Sequence, residues 1–207
     1  MKKTVSFPSA AGLSDALVSE PVECKGINFR SFLTSLGSRF PDADQAELLK
    51  LVHPELAQRL KDDQILPSSW YPVAWYRSLH HAAQQTVGGG LETAWDIGYM
   101  STRADFNDGG IYHFMARTFG PKSVLKLGSK IFGMYWRPAG MKVKGAKGEL
   151  KARAMWTGCL GFDELIWHDI FGSIAAVLET SDCRLNSLSV LKASGDLSSI
   201  LIEAHWE

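Results

Sequence analysis

The sequence contains only three cysteines, and their spacing excludes a cysteine-rich metal site or a disulfide framework. Cys24, Cys159 and Cys183 include no Cys-x-x-Cys pair. An odd number of widely spaced cysteines is typical of proteins that stay in a reducing compartment. We therefore expect a cytoplasmic protein without a zinc centre.

A basic excess and long apolar segments are also missing. Lys+Arg and Asp+Glu each total 22, so the formal net charge is zero, whereas nucleic-acid-binding proteins usually carry a basic excess. No window reaches the roughly 18 consecutive apolar residues of a transmembrane helix. Ser6, Pro8 and Ser9 interrupt any apolar run that a signal peptide would need. We expect no nucleic-acid partner, no membrane span and no export.

Motifs that would indicate catalysis are absent as well. The sequence has no Gly-x-Ser-x-Gly nucleophile motif and no Gly-x-Gly-x-x-Gly dinucleotide motif. Neighbouring carboxylates occur, but their polar or helix-edge settings favour solvated surface over acid–base catalysis. These pairs are Asp62 with Asp63, Asp105 with Asp108, and Glu164 with Asp169. We expect no enzyme and no catalytic residue.

The clearest pattern that is present lies between Met141 and Glu207. Four segments alternate apolar and polar residues, which predicts strands, and an apolar helix with Asp163 as its cap separates the two pairs. The order strand-strand-helix-strand-strand predicts a four-stranded antiparallel sheet with one face covered. The segments are Met141–Gly145, Gly148–Trp156, the helix Phe162–Thr180, Asn186–Ser194 and Ser199–Trp206.

The residues before this sheet are predicted to form a helical block. The Ser- and Ala-rich residues 1–21 predict a flexible arm, and residues 22–207 suit a single domain. The predicted fold class is therefore α+β, with an N-terminal helical block packed on a C-terminal sheet.

Several segments of this chain resemble a known group of proteins. KGINFRSFLTSLG, SSWYPVAWYRSLHHAA, FGPKSVLKLGSKIFGMYW and the final EAHW resemble a family of uncharacterised proteins found chiefly in myxobacteria and related bacteria. That family is similar to the ligand-binding superfamily that contains haem-NO/oxygen-binding (H-NOX) domains, 4-vinyl reductase-type domains and TRAPP vesicle-tethering subunits. The resemblance covers roughly residues 22–206. It implies helices on one side of an antiparallel sheet, enclosing an apolar pocket.

The function that this resemblance implies is a non-enzymatic sensory or adaptor domain in signalling. Its pocket would bind a small apolar molecule or lipid, or the domain would bind a signalling partner. The pocket would lie between the helices Tyr71–Val87 and Ile111–Trp136 and the covered face of the sheet. The predicted ligand-binding residues are Trp75, Tyr76, His80, His113, Tyr135 and Trp136.

Two alternatives accompany this hypothesis. In a haem-based gas sensor, His113 would be the proximal ligand, and the hairpin would contain the Tyr-x-Ser-x-Arg signature that holds the haem propionates in H-NOX proteins. This hairpin reads LKARAMW, which has Arg153 but neither the tyrosine nor the serine. We therefore expect no cofactor and keep haem as the alternative. The second alternative is an interaction module without a ligand, which could form a homodimer through strand edges and tryptophans.

Overall fold

A computed structural model describes residues 5–8, 22–107, 127–145, 149–181 and 183–207. Within these ranges the chain forms seven helices and two antiparallel sheets, so the predicted α+β class is confirmed. The predicted helix 111–120, with His113, lies outside the described residues. None of the described helices has the length and hydropathy of a membrane span.

The N-terminal half is mainly helical, and two short strands frame its aromatic segments. Helix α4 follows directly on β2, and Gly88 at positive φ ends it. In order, the elements are β1 (Glu23–Lys25), α1 (Gly26–Arg39), α2 (Gln45–Leu51), α3 (Pro54–Lys61), β2 (Trp70–Pro72), α4 (Val73–Val87) and α5 (Gly90–Asn107).

The C-terminal half has the order of elements that the alternating pattern predicts. Helix α7 lies between two hairpins, and Asp163 Oδ1 accepts from the Ile166 N–H at 3.0 Å, which confirms the predicted cap. The elements are α6 (127–135), β3 (Trp136–Arg137), β4 (Gly140–Lys144), β5 (Lys151–Thr157), α7 (Glu164–Glu179), β6 (Leu185–Ala193) and β7 (Ile200–Trp206).

The larger sheet has the strand order β4-β5-β7-β6, with antiparallel neighbours throughout. Ala154 lies opposite Ile202, and Trp156 lies opposite Ile200. Along β5 and β7, buried residues alternate with more exposed ones. The buried residues form the inner face of the sheet, which packs against α7. The four-stranded sheet is therefore as predicted.

A second sheet was not predicted. It has the order β2-β1-β3, and Cys24 lies between Tyr71 and Trp136 in its register. Its strands have only two or three residues, so they are too short to show an alternating pattern. The sequence also favours Pro72 in the first turn of a helix, but Pro72 ends β2 and α4 begins at Val73.

Helix α7 is buried on nearly all sides because it lies between the larger sheet and α5. Trp167 contacts Trp156 of β5 with 5.8 Å between ring centroids, and its indole N–H donates to the Leu197 carbonyl at 3.0 Å. On the opposite side α7 meets α5 through two glycines. A Cβ at Gly98 would overlap the carbonyl oxygen of Asp169, and one at Gly172 would overlap that of Trp95.

The described residues 5–8 lie against α7. The Val5 N–H donates to His168 Nε2 at 3.0 Å, and His168 Nδ1 donates to the Glu164 carbonyl at 2.6 Å. Only a neutral imidazole can accept at Nε2, and burial lowers the pKa of His168, which favours the neutral form. The flexibility of the whole arm over residues 1–21 stays a prediction.

The close approach of α5 and α7 predicts a large difference between two glycine substitutions. Gly172→Ala should lower the free energy of unfolding by about 1–3 kcal/mol, because the new methyl group meets the backbone of α5. Gly133→Ala on α6 is the matched control, since a Cβ there meets no atom within 4 Å. It should leave stability unchanged or raise it by up to about 1 kcal/mol. Urea unfolding checks both variants, and equal stabilities would contradict this packing.

Candidate ligand-binding site

A cavity of about 190 Å³ lies between α1, α5, α6, α7 and the inner face of the larger sheet. An apolar cavity of about 150 Å³ can hold benzene, whereas pockets for drug-sized ligands measure roughly 300–1,000 Å³. The size therefore suits a small molecule with a single ring or a short chain. Its apolar lining consists of Leu127, Ile131, Phe132, Trp136, Met141, Trp156, Ile170, Ile174 and Val177.

Polar side chains from α1, α4, α5, α6 and α7 also line the cavity. Among them is one charged side chain, Asp169, and the others are neutral hydroxyl or amide groups. The neutral polar residues are Asn28, Ser31, Tyr76, Ser101, Thr102, Tyr135 and Ser173. The cavity thus combines apolar walls with a few polar groups, as small-molecule sites usually do.

Asp169 belongs to a buried cluster with two residues of α4. The Tyr76 hydroxyl donates to Asp169 Oδ2 at 2.6 Å, and His80 Nε2 lies 3.0 Å from the same oxygen. Tyr76 and His80 are four residues apart, so they lie on one face of α4. Asp169 is 8% exposed and His80 is fully buried, so this carboxylate depends on protein donors rather than on water.

Aromatic rings surround the cluster and exclude solvent. Phe29 and Phe32 contact the Tyr76 ring edge-on at 5.4 and 5.7 Å, and Phe32 contacts the His80 ring at 4.7 Å. Trp136 contacts Tyr76 from another side at 5.5 Å. Burial, and secondarily the charge of Asp169, raises the pKa of Tyr76 well above its ordinary value. Tyr76 therefore remains a protonated donor at neutral pH.

The structure brings three of the predicted site residues to this cavity. Tyr76, Tyr135 and Trp136 line it, and His80 contacts Asp169 without lining it. Trp75 lies elsewhere, since its ring stacks on His53 at 5.6 Å and on Tyr71 at 5.8 Å. His113 lies outside the described residues. The functional roles of all six residues stay predictions.

Sequence analysis missed Asp169, and its interpretation of this residue as solvated surface was wrong. The signal was available, because Asp169 is the one acidic residue inside the apolar segment WHDIFGSIAAV. A carboxylate at such a position is rarely buried without partners. Its partners Tyr76 and His80 could not be identified, because they are about ninety residues away along the chain.

Comparison with known proteins identifies the fold. No protein-family model matches the sequence, and no curated protein matches it. Among solved structures, the Fe(II) unliganded H-NOX protein from K. algicida superposes with a TM-score of 0.60 and 11% identity, over 88% of this chain and 96% of that one. A point mutant of the H-NOX protein from T. tengcongensis gives a TM-score of 0.54 and 11% identity, over 88% and 97% of the chains.

The chain has the H-NOX fold. The predicted H-NOX-like fold is therefore confirmed, and the relation to the H-NOX superfamily stays a prediction. A third H-NOX structure, described as probing the function of heme distortion, superposes with a TM-score of 0.53 and 12% identity, over 88% of this chain and 95% of that one. Because proteins with this fold include haem proteins, the charge of the described lining bears on whether the cavity suits a haem.

The described lining offers no cationic partner for the propionates of a haem. Haem propionates are negatively charged, but the described lining contains no Lys, Arg or His, and its one charged side chain is a carboxylate. Arg153, the one matching residue of the H-NOX signature, faces away from α7 and pairs with Glu203 at 2.8 Å. Haem iron needs only one axial side chain, and the predicted one, His113, lies outside the described residues.

Burial of the Tyr76–Asp169 hydrogen bond predicts that its loss costs more than the loss of a similar exposed bond. Tyr76→Phe should lower the free energy of unfolding by about 1–3 kcal/mol, because it leaves a buried carboxylate with one donor fewer. Tyr99→Phe is the matched control, since its hydroxyl also donates to a carboxylate, that of Glu179, at an exposed position. Its cost should be below about 1 kcal/mol. Chemical unfolding measures both, and equal losses would contradict the buried cluster.

Proposed function

We propose that this protein is a non-enzymatic sensory or adaptor domain that binds a small, largely apolar molecule in the cavity. The observation that supports this proposal is a cavity of about 190 Å³ with apolar walls and a fixed polar cluster at Asp169. Burial of the ligand would supply most of the affinity, at roughly 25 cal/mol per Å² of apolar surface. The polar groups would set the orientation of the ligand.

A sensory role fits the positions of the elements around the cavity. Leu127, Ile131 and Phe132 of α6 form one wall, and Ile170 and Ile174 of α7 form another. A ligand between them would contact both helices at once and would stabilise the arrangement in which they are packed together. Differential binding to two arrangements is the requirement for a ligand-driven switch that a signalling partner can detect.

The polar cluster is poorly suited to catalysis. The Tyr76 hydroxyl is bonded to Asp169 and has a raised pKa, so it exchanges protons poorly at neutral pH. His80 is fully buried and does not line the cavity, so it has no direct access to a bound molecule. These groups are better suited to holding a ligand than to transforming it.

Filling the cavity from α6 should weaken the binding of a small apolar probe. Gly128 lines the cavity, and a Cβ there meets no atom within 4 Å, so Gly128→Leu can place a side chain inside it. We expect its affinity for toluene to be at least about tenfold below that of the wild type, because the new side chain occupies the apolar volume. Thermal unfolding at increasing toluene concentration measures this affinity.

The matched control for this experiment is Gly133→Leu. Gly133 is exposed on the same helix and its Cβ position is also open, but it does not line the cavity. It should bind toluene like the wild type. Equal responses from the two variants, or no response from the wild-type protein, would contradict the proposed binding site.

A further inference from the structure

We infer that the ligand of this cavity carries a positively charged group, an ammonium or an amidinium, on its apolar body, and that Asp169 binds this group. The inference rests on the proposed function, because it concerns the same cavity. It specifies the chemical class of the ligand, which the fold does not.

Among the described residues that line the cavity, charge is of one sign. Asp169 is the one charged side chain among the described lining residues, and no Lys, Arg or His joins it there. Its Oδ2 receives hydrogen bonds from Tyr76 and His80. Its Oδ1 receives none from the described residues, so one carboxylate oxygen is left to accept from a ligand.

His80 belongs to the buried cluster but does not line the cavity. Its Nε2 lies 3.0 Å from Asp169 Oδ2, and the Phe32 ring contacts the imidazole edge-on. The contact with His80 therefore occupies Oδ2 and leaves Oδ1 for a ligand.

Two groups near Asp169 are neutral. Tyr76 remains a phenol, as its raised pKa indicates. Burial raises the pKa of Cys24, and the charge of Asp169 adds to this effect, so Cys24 remains a thiol. Tyr76 thus satisfies a hydrogen bond of the buried carboxylate without compensating its charge. A cationic ligand supplies that compensation, and an anionic ligand would be repelled.

Neighbouring hydroxyl groups suit the remaining N–H groups of an ammonium. Ser173 lies four residues after Asp169, on the same face of α7, and lines the cavity. Its hydroxyl donates to the Gly98 carbonyl at 3.2 Å, which leaves its oxygen lone pairs to accept. Ser31 lines the cavity from α1. The described lining therefore offers hydroxyl acceptors in addition to its one carboxylate.

Four probes of nearly equal shape and different charge test this inference: benzylamine, benzyl alcohol, toluene and benzoate. Isothermal titration calorimetry at pH 7 on the wild-type protein should give benzylamine an affinity at least about tenfold higher than those of benzyl alcohol and toluene. The reason is that charge-assisted hydrogen bonds are stronger than neutral ones. Benzoate should bind most weakly. Asp169→Asn should abolish the preference for benzylamine and leave the affinity for toluene within about threefold.

Each other outcome overturns the inference in a distinct way. Equal affinities for benzylamine, benzyl alcohol and toluene would overturn it and leave the proposed function standing. Tightest binding of benzoate would show that the cavity is effectively cationic and would also overturn it. Failure of all four probes to bind the folded wild-type protein would overturn the inference together with the proposed function. The ranking of the four affinities on the wild-type protein tests the inference even if Asp169→Asn does not fold.

Discussion

The contact between the backbones of α5 and α7 is the constraint on which the rest of the structure depends. Gly98 and Gly172 lie opposite backbone atoms of the facing helix, and neither position has room for a Cβ. This contact holds α7 between α5 and the inner face of the larger sheet. Because both sides of α7 are covered, most of its residues are buried and apolar. The same contact fixes the backbone of Asp169, whose carbonyl faces Gly98. The position of the only charge in the described lining is thus set by two glycines.

A buried carboxylate in such a helix requires compensation, and the structure provides it only in part. Tyr76 and His80 supply hydrogen bonds from α4, and the rings of Phe29 and Phe32 exclude water from them. Partial compensation of a buried polar group costs stability, so its retention at a cavity wall is more typical of a binding site than of a structural core. For this reason we assign Asp169 to the ligand rather than to folding alone.

Much of the fold could be predicted from the sequence, because the C-terminal strands alternate clearly and Asp163 marks the start of α7. The same alternation predicts the orientation of the Arg153 side chain. Because Ala152, Ala154 and Trp156 face inward, Arg153 must face outward. The second sheet could not be predicted, since its strands are too short to have a period. The cavity could not be predicted either, because it is built from five helices and the larger sheet, and only tertiary packing brings Tyr76 to Asp169.

The central claim concerns the ligand of the cavity. The fold is shared with haem proteins, whereas the described lining contains a carboxylate and no cationic side chain that could pair with haem propionates. Native mass spectrometry of the protein purified from cells supplied with haem tests the claim most directly. We expect that a small organic molecule, and no haem, is released from the folded protein. Release of haem, together with a Soret band that disappears in His113→Ala, would contradict the claim.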